Sequence, residues 1–277
     1  MRKIISVFLA VSLFVSAFAT SSSAKVPWKE IFDVFIRCID HSLSCTDDTY
    51  YVYTPEDLQW ISEECYNGNT FYNQKIVLKK DIDMKNVDFY PIGVGGESVF
   101  LGEFDGNNKK IKNLVISADC CDYVGLFGMA GEYAYIHDVK IGRGSEIYGC
   151  GYVGSIVGYN YKGNICNCEN KACVFGNEFV GGIVGCNRLG TVECNINGGP
   201  VSIYYNYGGG VVGYNDEGKV NYCVNEVRIT TCANYIGSIV GYNNYGSVMC
   251  NSGFASVICY GYHSNGYVGY NNNGTVI

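Results

Sequence analysis

Carboxylates are the first candidates for chemistry in this 277-residue sequence. Cleavage of a glycosidic bond needs two positioned acids, and a Ca²⁺ site needs several oxygen ligands. Residues 1–150 hold 20 of the 26 Asp and Glu residues, and the remainder has one adjacent pair, Asp216-Glu217, in a predicted turn. Asp81, Asp83 and Asp88 could bind Ca²⁺, but a solvated turn is the simpler interpretation. We therefore predict no catalytic residue.

Histidine and cysteine could bind a metal, but neither shows a metal-binding spacing. His41, His137 and His263 are far apart, and none belongs to a His-Glu-x-x-His motif. Cys166-Asn-Cys168 lacks the matching second pair that a zinc site requires. We predict no metal site and no cofactor. The chain is therefore expected not to be an enzyme.

The 15 cysteines are an odd number, so at least one thiol has no partner within the chain. Four of them recur just after a predicted turn, at intervals of 26, 29 and 27 residues: Cys168, Cys194, Cys223 and Cys250. This recurrence predicts an inward column of thiols that behave as small apolar side chains. Parallel side chains in such a column have poor geometry for disulfides.

A repeat of about 28 residues is the strongest pattern in the sequence. Val153-Gly-Ser-Ile-Val-Gly-Tyr-Asn160 returns in four later copies, some of them shortened. The equivalent glycines, predicted to be structural, are Gly158, Gly185, Gly213, Gly241 and Gly269, at intervals of 27, 28, 28 and 28. A unit this short cannot bury its own apolar face, so it must stack on its neighbours.

Two other columns follow from the same repeat. The asparagines are Asn160, Asn187, Asn215, Asn243 and Asn271, for which we predict a hydrogen-bonded ladder at a turn. The tyrosines are Tyr159, Tyr214, Tyr242 and Tyr270, interrupted by Cys186. They could pack as core, or they could form an exposed aromatic platform for sugar rings.

Short strand-like runs between bends, about three in each unit, predict a right-handed parallel β-helix of about eight rungs. Asparagine and glycine at fixed offsets supply the turns, because both tolerate positive φ. No window within the repeats shows the 3.6-residue periodicity of a helical repeat. The fold class is therefore all-β, with helices expected only near the N-terminus.

The repeat resembles the GLUG motif, named for its Gly-Leu-any-Gly core and found in bacterial surface and secreted proteins. The resemblance covers residues 124–277, where Gly125-Leu-Phe-Gly128 keeps the leucine and the other copies carry Ile or Val. The stretches Ile76–Asp83, Tyr90–Gly93 and Phe100–Leu114 look like the usual lead-in to such arrays. The resemblance implies a β-helix and an extracellular setting, and much less about activity.

Three segments make up the predicted domain organisation. Residues 1–24 have a basic start, an apolar stretch and small-x-small cleavage sites, as a signal peptide does. Residues 25–75 are predicted to be a helical cap, with helices at 28–40 and 55–66 that cover the first rung. Residues 76–277 are predicted to be the β-helix, whose last rung has no visible cap and could pair with another molecule.

Charge and composition narrow the function. The net charge of −7 argues against nucleic acid and anionic membranes as partners, and no second apolar stretch could anchor the chain in a membrane. The C-terminal half is neutral and rich in tyrosine and asparagine, which suits uncharged glycans. We predict a secreted or cell-surface protein that binds a glycan or an extracellular protein, or that serves as a surface scaffold. The alternatives are a polysaccharide lyase or hydrolase, or a structural rod that self-associates through its C-terminal rung.

Overall fold

The computed structural model describes residues 48–94, 98–253, 257–264 and 266–277. The predicted signal peptide and the predicted helix at 28–40 lie outside these residues. The chain divides between Tyr51 and Val52 into two compact units, and strand β1 (Thr49–Val52) crosses this boundary. Among the described residues, the second unit holds one helix and 28 further strands.

Helix α1 (Pro55–Tyr66) confirms the predicted helix at 55–66. Thr54 is its N-cap and accepts a hydrogen bond from the Asp57 amide at 3.2 Å, while the Asp57 carboxylate accepts from the Thr54 amide at 2.9 Å. This reciprocal pair satisfies two amides that the first turn leaves without partners. Leu58, Ile61 and Cys65 form the buried face, as their spacing predicted.

The remaining strands form four parallel sheets and one short pair. Sheet 1 contains β2 (Lys75–Leu78), β4 (Glu103–Asp105), β8 (Tyr135–His137), β12 (Asn164–Cys166), β16 (Thr191–Glu193), β20 (Lys219–Asn221), β25 (Ser247–Met249) and β29 (Thr275–Val276). Sheet 2 contains β3 (Ile82–Asp83), β5 (Lys110–Lys112), β9 (Lys140–Ile141), β13 (Glu169–Asn170), β17 (Ile196–Asn197), β21 (Val224–Asn225) and β26 (Ser252–Gly253).

Sheet 3 contains β7 (Phe127–Ala130), β11 (Val157–Tyr161), β15 (Val184–Arg188), β19 (Val212–Asp216), β24 (Val240–Asn244) and β28 (Val268–Asn272). Sheet 4 contains β6 (Val115–Val124), β10 (Glu146–Gly154), β14 (Cys173–Gly181), β18 (Val201–Gly209) and β23 (Asn234–Gly237). The short pair is β22 (Ile229–Thr231) with β27 (Val257–Cys259).

Each strand pairs with its equivalent one turn earlier and one turn later, so the second unit is a parallel β-solenoid of about eight turns. This confirms the predicted fold class. A turn holds four strands rather than the predicted three, because the strands of sheet 2, with two or three residues each, are too short to stand out in a sequence. Strand β1 also lies within the segment predicted to be a helical cap. The handedness of the coil stays a prediction.

The core is a set of columns, each of which takes one inward residue from every turn. In sheet 1 the column consists of Ile76, Phe104, Ile136, Ile165, Val192, Val220 and Val248, all at most 1% exposed. Strand residues alternate between the two faces of a sheet, so the neighbours of these residues point outward. A fixed repeat length therefore also aligns the outward side chains in columns, and these columns carry the candidate sites.

Candidate ligand-binding face

The predicted structural glycines line the inner side of sheet 3, where it approaches sheet 4. A Cβ atom on Gly213 would lie 2.5 Å from the backbone nitrogen of Val180, and one on Gly185 would lie 2.5 Å from the backbone of Val153. Real side chains do not tolerate such distances, so this column allows only glycine. The close approach fixes the position of the outward residues that follow each glycine.

The predicted asparagine column is a continuous hydrogen-bonded ladder. Asn187 donates through its side-chain amide to Asn215 at 2.8 Å, and Asn215 donates to Asn243 at 2.7 Å. The same amide group donates to the carbonyl of the glycine three residues later, as from Asn215 to Gly218 at 3.0 Å. The positive φ at this corner belongs to the residue before that glycine, for example Leu189 with a φ of 57°, and not to the asparagine.

The predicted tyrosine column lies on the outer face of sheet 3. In the register of the sheet, Tyr159 is opposite Cys186, which is opposite Tyr214, followed by Tyr242 and Tyr270. Tyr214 and Tyr242 stack with ring centroids 5.2 Å apart. All four tyrosines are half-buried, so they are neither core residues nor fully exposed.

A second aromatic column runs beside the first, where sheet 4 bends toward sheet 3, and the sequence analysis missed it. Its members are Tyr123, Tyr152, Phe179, Tyr207, Tyr235 and His263, with successive centroids between 4.7 and 5.3 Å apart. They meet the rings of the first column edge to face, as Tyr207 meets Tyr214 at 5.7 Å. A sequence signal existed, because these aromatic residues stand two positions before a second set of recurring glycines in five successive turns: Gly125, Gly154, Gly181, Gly209 and Gly237.

Cys186 opens a notch in this double column. Its small side chain leaves a cavity of about 290 Å³, lined by Tyr152, Tyr159, Phe179, Cys186, Arg188, Tyr207, Tyr214 and Asp216. The rings of Tyr159 and Tyr214 are two turns apart, or about 9.6 Å at roughly 4.8 Å for each strand. They stand on either side of Cys186, which is 4% exposed at the floor.

Arg188 and Asp216 supply the polar edge of the notch. The Arg188 Nε lies 3.5 Å from Asp216 Oδ2, and the neighbouring Tyr159 hydroxyl raises the pKa of the guanidinium. Asp216 continues a polar column, since it accepts from Asn244 at 2.8 Å, and Asn244 accepts from Asn272 at 2.7 Å. The notch therefore combines aromatic rings with hydrogen-bond donors and acceptors whose charges balance.

Burial controls protonation in the notch. It raises the pKa of the Cys186 thiol to about 12, with Asp216 adding to the effect, so the floor is a neutral thiol at physiological pH. It also raises the pKa of Tyr214 to about 12. A neutral thiol is a poor nucleophile, so these groups are suited to binding rather than to covalent chemistry.

The predicted inward column of four thiols is wrong. Cys168 and Cys223 are buried, whereas Cys194 and Cys250 are exposed. Cys194 and Cys250 occupy a corner position with φ of 55° and 53°, one residue before the inward position, which Asn195 and Asn251 fill. The intervals of 26, 29 and 27 residues already differ from the repeat by one, and a shift of one residue reverses the direction of a side chain.

A cluster of charged residues on the outer face of sheet 1 was also missed. Lys75 Nζ lies 2.7 Å from Glu103 Oε1 and 3.0 Å from Asp105 Oδ2, and His137 Nε2 lies 3.2 Å from the same Glu103 oxygen. Burial raises the pKa of Glu103, but the hydrogen bonds from Lys75 and His137 outweigh it and hold the pKa below its usual value. The sequence signal was a Glu-x-Asp pattern on β4 and a histidine on β8, the neighbouring strand of the sheet. The register of these two strands brings the three side chains together.

Two of the three aspartates considered for Ca²⁺, Asp81 and Asp83, have structural partners. Asp81 accepts from the backbone amide of Lys110 at 3.0 Å. Asp83 accepts from the side chain of Asn113 at 2.6 Å and from the amide of Lys85 at 3.2 Å. These bonds hold the turns between neighbouring rungs.

Comparison with known proteins gives two similarities, and no family model matches the chain. The chain is 29% identical to Halomucin of Haloquadratum walsbyi over 157 residues, which is 53% of this chain and 2% of Halomucin. Its fold is similar to the crystal structure of a candidate immunoglobulin A1 protease from Bacteroides ovatus. That likeness has a TM-score of 0.58 and 19% identity, and it covers 82% of this chain and 75% of the other.

The second likeness shows the fold alone, a parallel β-solenoid, since the identity is low. Within the part of the chain that the structure describes, no helix has the length and apolar character needed to span a membrane.

Proposed function

We propose that this protein is an exported, non-catalytic β-solenoid that binds a neutral carbohydrate in the Cys186 notch. The pattern of residues 1–24 and the resemblance to GLUG repeats support export. The observation that carries the binding proposal is the replacement of one tyrosine by Cys186 in an otherwise regular column, beside Arg188 and Asp216.

The notch fits a sugar because its walls and its edge offer different interactions. Elsewhere in the column neighbouring rings lie against each other, as Tyr214 does against Tyr242 and Tyr242 against Tyr270, with centroids 5.2 and 5.1 Å apart. At Cys186 the facing sides of Tyr159 and Tyr214 are open, and the space of about 9.6 Å between them accepts one ring at van der Waals distance from both. Apolar walls with a few placed polar groups are the usual construction of a small-ligand site.

The polar edge favours a neutral ligand over a charged one. Arg188 and Asp216 balance each other, so an ionised ligand would gain little net attraction and would lose its hydration. Neighbouring sugar hydroxyls can donate to the Asp216 carboxylate and accept from the Arg188 guanidinium in the same pose. The lining contains one carboxylate, whereas the usual glycosidase mechanism needs two carboxyl groups.

The test is a binding measurement on immobilised neutral glycans and matrix proteins, with released reducing sugar measured in the same wells. The informative variant is Cys186→Tyr, which places in the notch the residue that this column carries in other turns. We expect it to fold with unchanged or higher thermal stability and to lose at least about tenfold in glycan affinity, because the slot is filled.

Tyr270→Ala is the matched control, because it removes a ring of the same column away from the notch, and it should bind as the wild type does. Wild-type affinity in Cys186→Tyr would place the site elsewhere. Binding to matrix proteins alone, or released reducing ends, would replace the proposed function with protein adhesion or glycan cleavage respectively.

A further inference from the structure

We propose that Glu103, Asp105 and His137 form a binding site for a divalent first-row metal ion such as Zn²⁺ or Co²⁺. The three residues lie on the outer face of sheet 1, far along the chain from the Cys186 notch. In the register of β4 and β8, Asp105 is directly opposite His137, and Glu103 is two residues away on the same face. One ligand atom from each residue lies within 4.8 Å of the others, so small side-chain movements would bring all three to a single ion.

The contacts of His137 place a carboxylate oxygen at each ring nitrogen. Nδ1 lies 2.7 Å from Asp138 Oδ2, and Nε2 lies 3.2 Å from Glu103 Oε1. Both oxygens are acceptors, and a neutral imidazole has only one N–H to donate. In either tautomer one nitrogen would therefore direct its lone pair at a carboxylate, unless a second proton or a metal ion lies between them.

A metal ion resolves this conflict on the Glu103 side of the ring. The 3.2 Å between Nε2 and Oε1 matches the separation of two ligands that share a tetrahedral ion, which is about 3.3 Å for metal–ligand bonds of ~2.0 Å. Nδ1 then donates to Asp138, which is the usual arrangement of a carboxylate behind a metal-bound histidine. The ring of Tyr135 stacks on His137 with centroids 4.3 Å apart and holds its plane.

The ligand set determines which ion fits. One imidazole and two carboxylates suit zinc, cobalt and similar ions better than calcium or magnesium, which prefer oxygen ligands alone. His137 is 9% exposed, so the ion would bind against a nearly buried ligand, with its remaining positions open to solvent.

Lys75 is the internal competitor for this site. Its ammonium group already contacts Glu103 at 2.7 Å and Asp105 at 3.0 Å, which shows that the two carboxylates hold a cation. A metal ion has to displace this ammonium group, so the affinity of the wild-type protein is held down by Lys75. The competition gives the proposal a test in both directions.

The experiment is a Co²⁺ titration of the full-length protein followed by visible absorption, with Zn²⁺ competition to give the affinity. Visible spectra also report the ligand atoms, because cysteine ligation adds intense sulfur-to-metal bands that imidazole and carboxylate lack. We expect one ion per chain without sulfur bands. His137→Gln should weaken binding by at least about tenfold, and Asp138→Asn by about 10–100-fold.

Lys75→Met should strengthen binding by about tenfold, since an adjacent positive charge opposes a cation. Glu193→Gln is the matched control, because it removes a carboxylate from the same sheet two strands away, and it should bind as the wild type does. Circular dichroism of each variant checks the fold. The proposal is overturned if the wild type and Lys75→Met take up no Co²⁺, if His137→Gln binds like the wild type, or if the spectrum shows thiolate ligands.

Discussion

Individual residues in this protein differ in function according to the side of the strand on which they lie. Inward thiols such as Cys168 and Cys223 fill core positions, and burial raises the pKa of both. Outward residues at the same level, such as His137 and Arg188, contact charged neighbours and solvent. The two classes alternate along each strand. A shift of one residue along the strand therefore moves a side chain from the core to the surface.

Stability should fall at alkaline pH because of the buried thiols. Burial raises the pKa of Cys223 from 9.0 to about 12. Between these values the unfolded chain releases a proton that the folded chain keeps, so the stabilisation is complete below about pH 9 and is lost as pH rises toward 12. Each such thiol contributes a slope of up to about 1.4 kcal/mol per pH unit, measurable by urea unfolding at pH 8 and pH 10 under reducing conditions.

Cys223→Ala should have a smaller loss of stability between these pH values than the wild type. Val220→Ala is the control, since it leaves a cavity near the same position without removing a titrating group. Equal slopes in all three proteins would show that Cys223 keeps an ordinary pKa in the folded state.

The sequence predicts the asparagine and glycine columns correctly but not the cysteine column, because only the first two keep a regular spacing. The asparagine and glycine positions follow a spacing that is constant within one residue, and every copy aligns, so their columns could be predicted. The cysteine intervals vary between 26 and 29, and only the register shows that Asn195 and Asn251 take the inward places. The gap at Cys186 and the recurrence of the second aromatic column are both visible in the sequence, but only the structure shows that this column stands beside the gap and makes it a notch.

Strands and sheets determine how closely neighbouring side chains approach. Sheet 3 packs so close to sheet 4 that only hydrogen atoms fit between the glycines of one and the backbone of the other. Sheet 1 has no such constraint and carries longer outward side chains, including the metal-binding cluster. Because Glu103 and His137 are 34 residues apart, their contact depends on the pairing of β4 with β8, which composition and spacing alone do not specify.

Gly213→Ala should destabilise the solenoid by about 2 kcal/mol, within the range for an overpacked core. Its Cβ would lie 2.5 Å from the Val180 nitrogen and 2.6 Å from the Phe179 carbon, so β19 or β14 must shift. Thermal or urea unfolding measures the loss. Gly198→Ala is the control, because its Cβ would meet first the end of the flexible Glu226 side chain at 3.2 Å, and it should cost much less. An equal effect of both changes would show that the two sheets can separate.

At the scale of the second unit, stability is the sum of similar turns that contact mainly their nearest neighbours. Consecutive turns share the same register, so Val157 is opposite Val184, and Val184 is opposite Val212. One turn should therefore be removable if the deleted segment has the length of one repeat. The fold tolerates this change only because the same columns continue on both sides of the cut.

Deleting residues 182–209 removes one 28-residue turn and joins Gly181 to Gly210. Gly181 is the register equivalent of Gly209, which precedes Gly210 in the wild type, so the new junction has the same local sequence position. Tyr159 then lies opposite Tyr214, and Asn160 opposite Asn215, so both columns close without a gap. We expect a cooperatively folded protein with the circular dichroism of the parent and a melting temperature lower by a few degrees. Glycan binding should be lost, because the deletion removes Cys186 and Arg188 and no notch remains.

A deletion of residues 182–195 is the negative control, because it removes only half a turn. It brings strands of different sheets into register and places polar outward residues in the core. It should not fold. If the full-turn deletion also failed to fold, the turns would not be interchangeable units. If it folded and kept its glycan affinity, the ligand would bind to the regular part of the aromatic face rather than to the interruption at Cys186. Retained Co²⁺ binding in the full-turn deletion would show separately that the cluster on sheet 1 does not depend on that interruption.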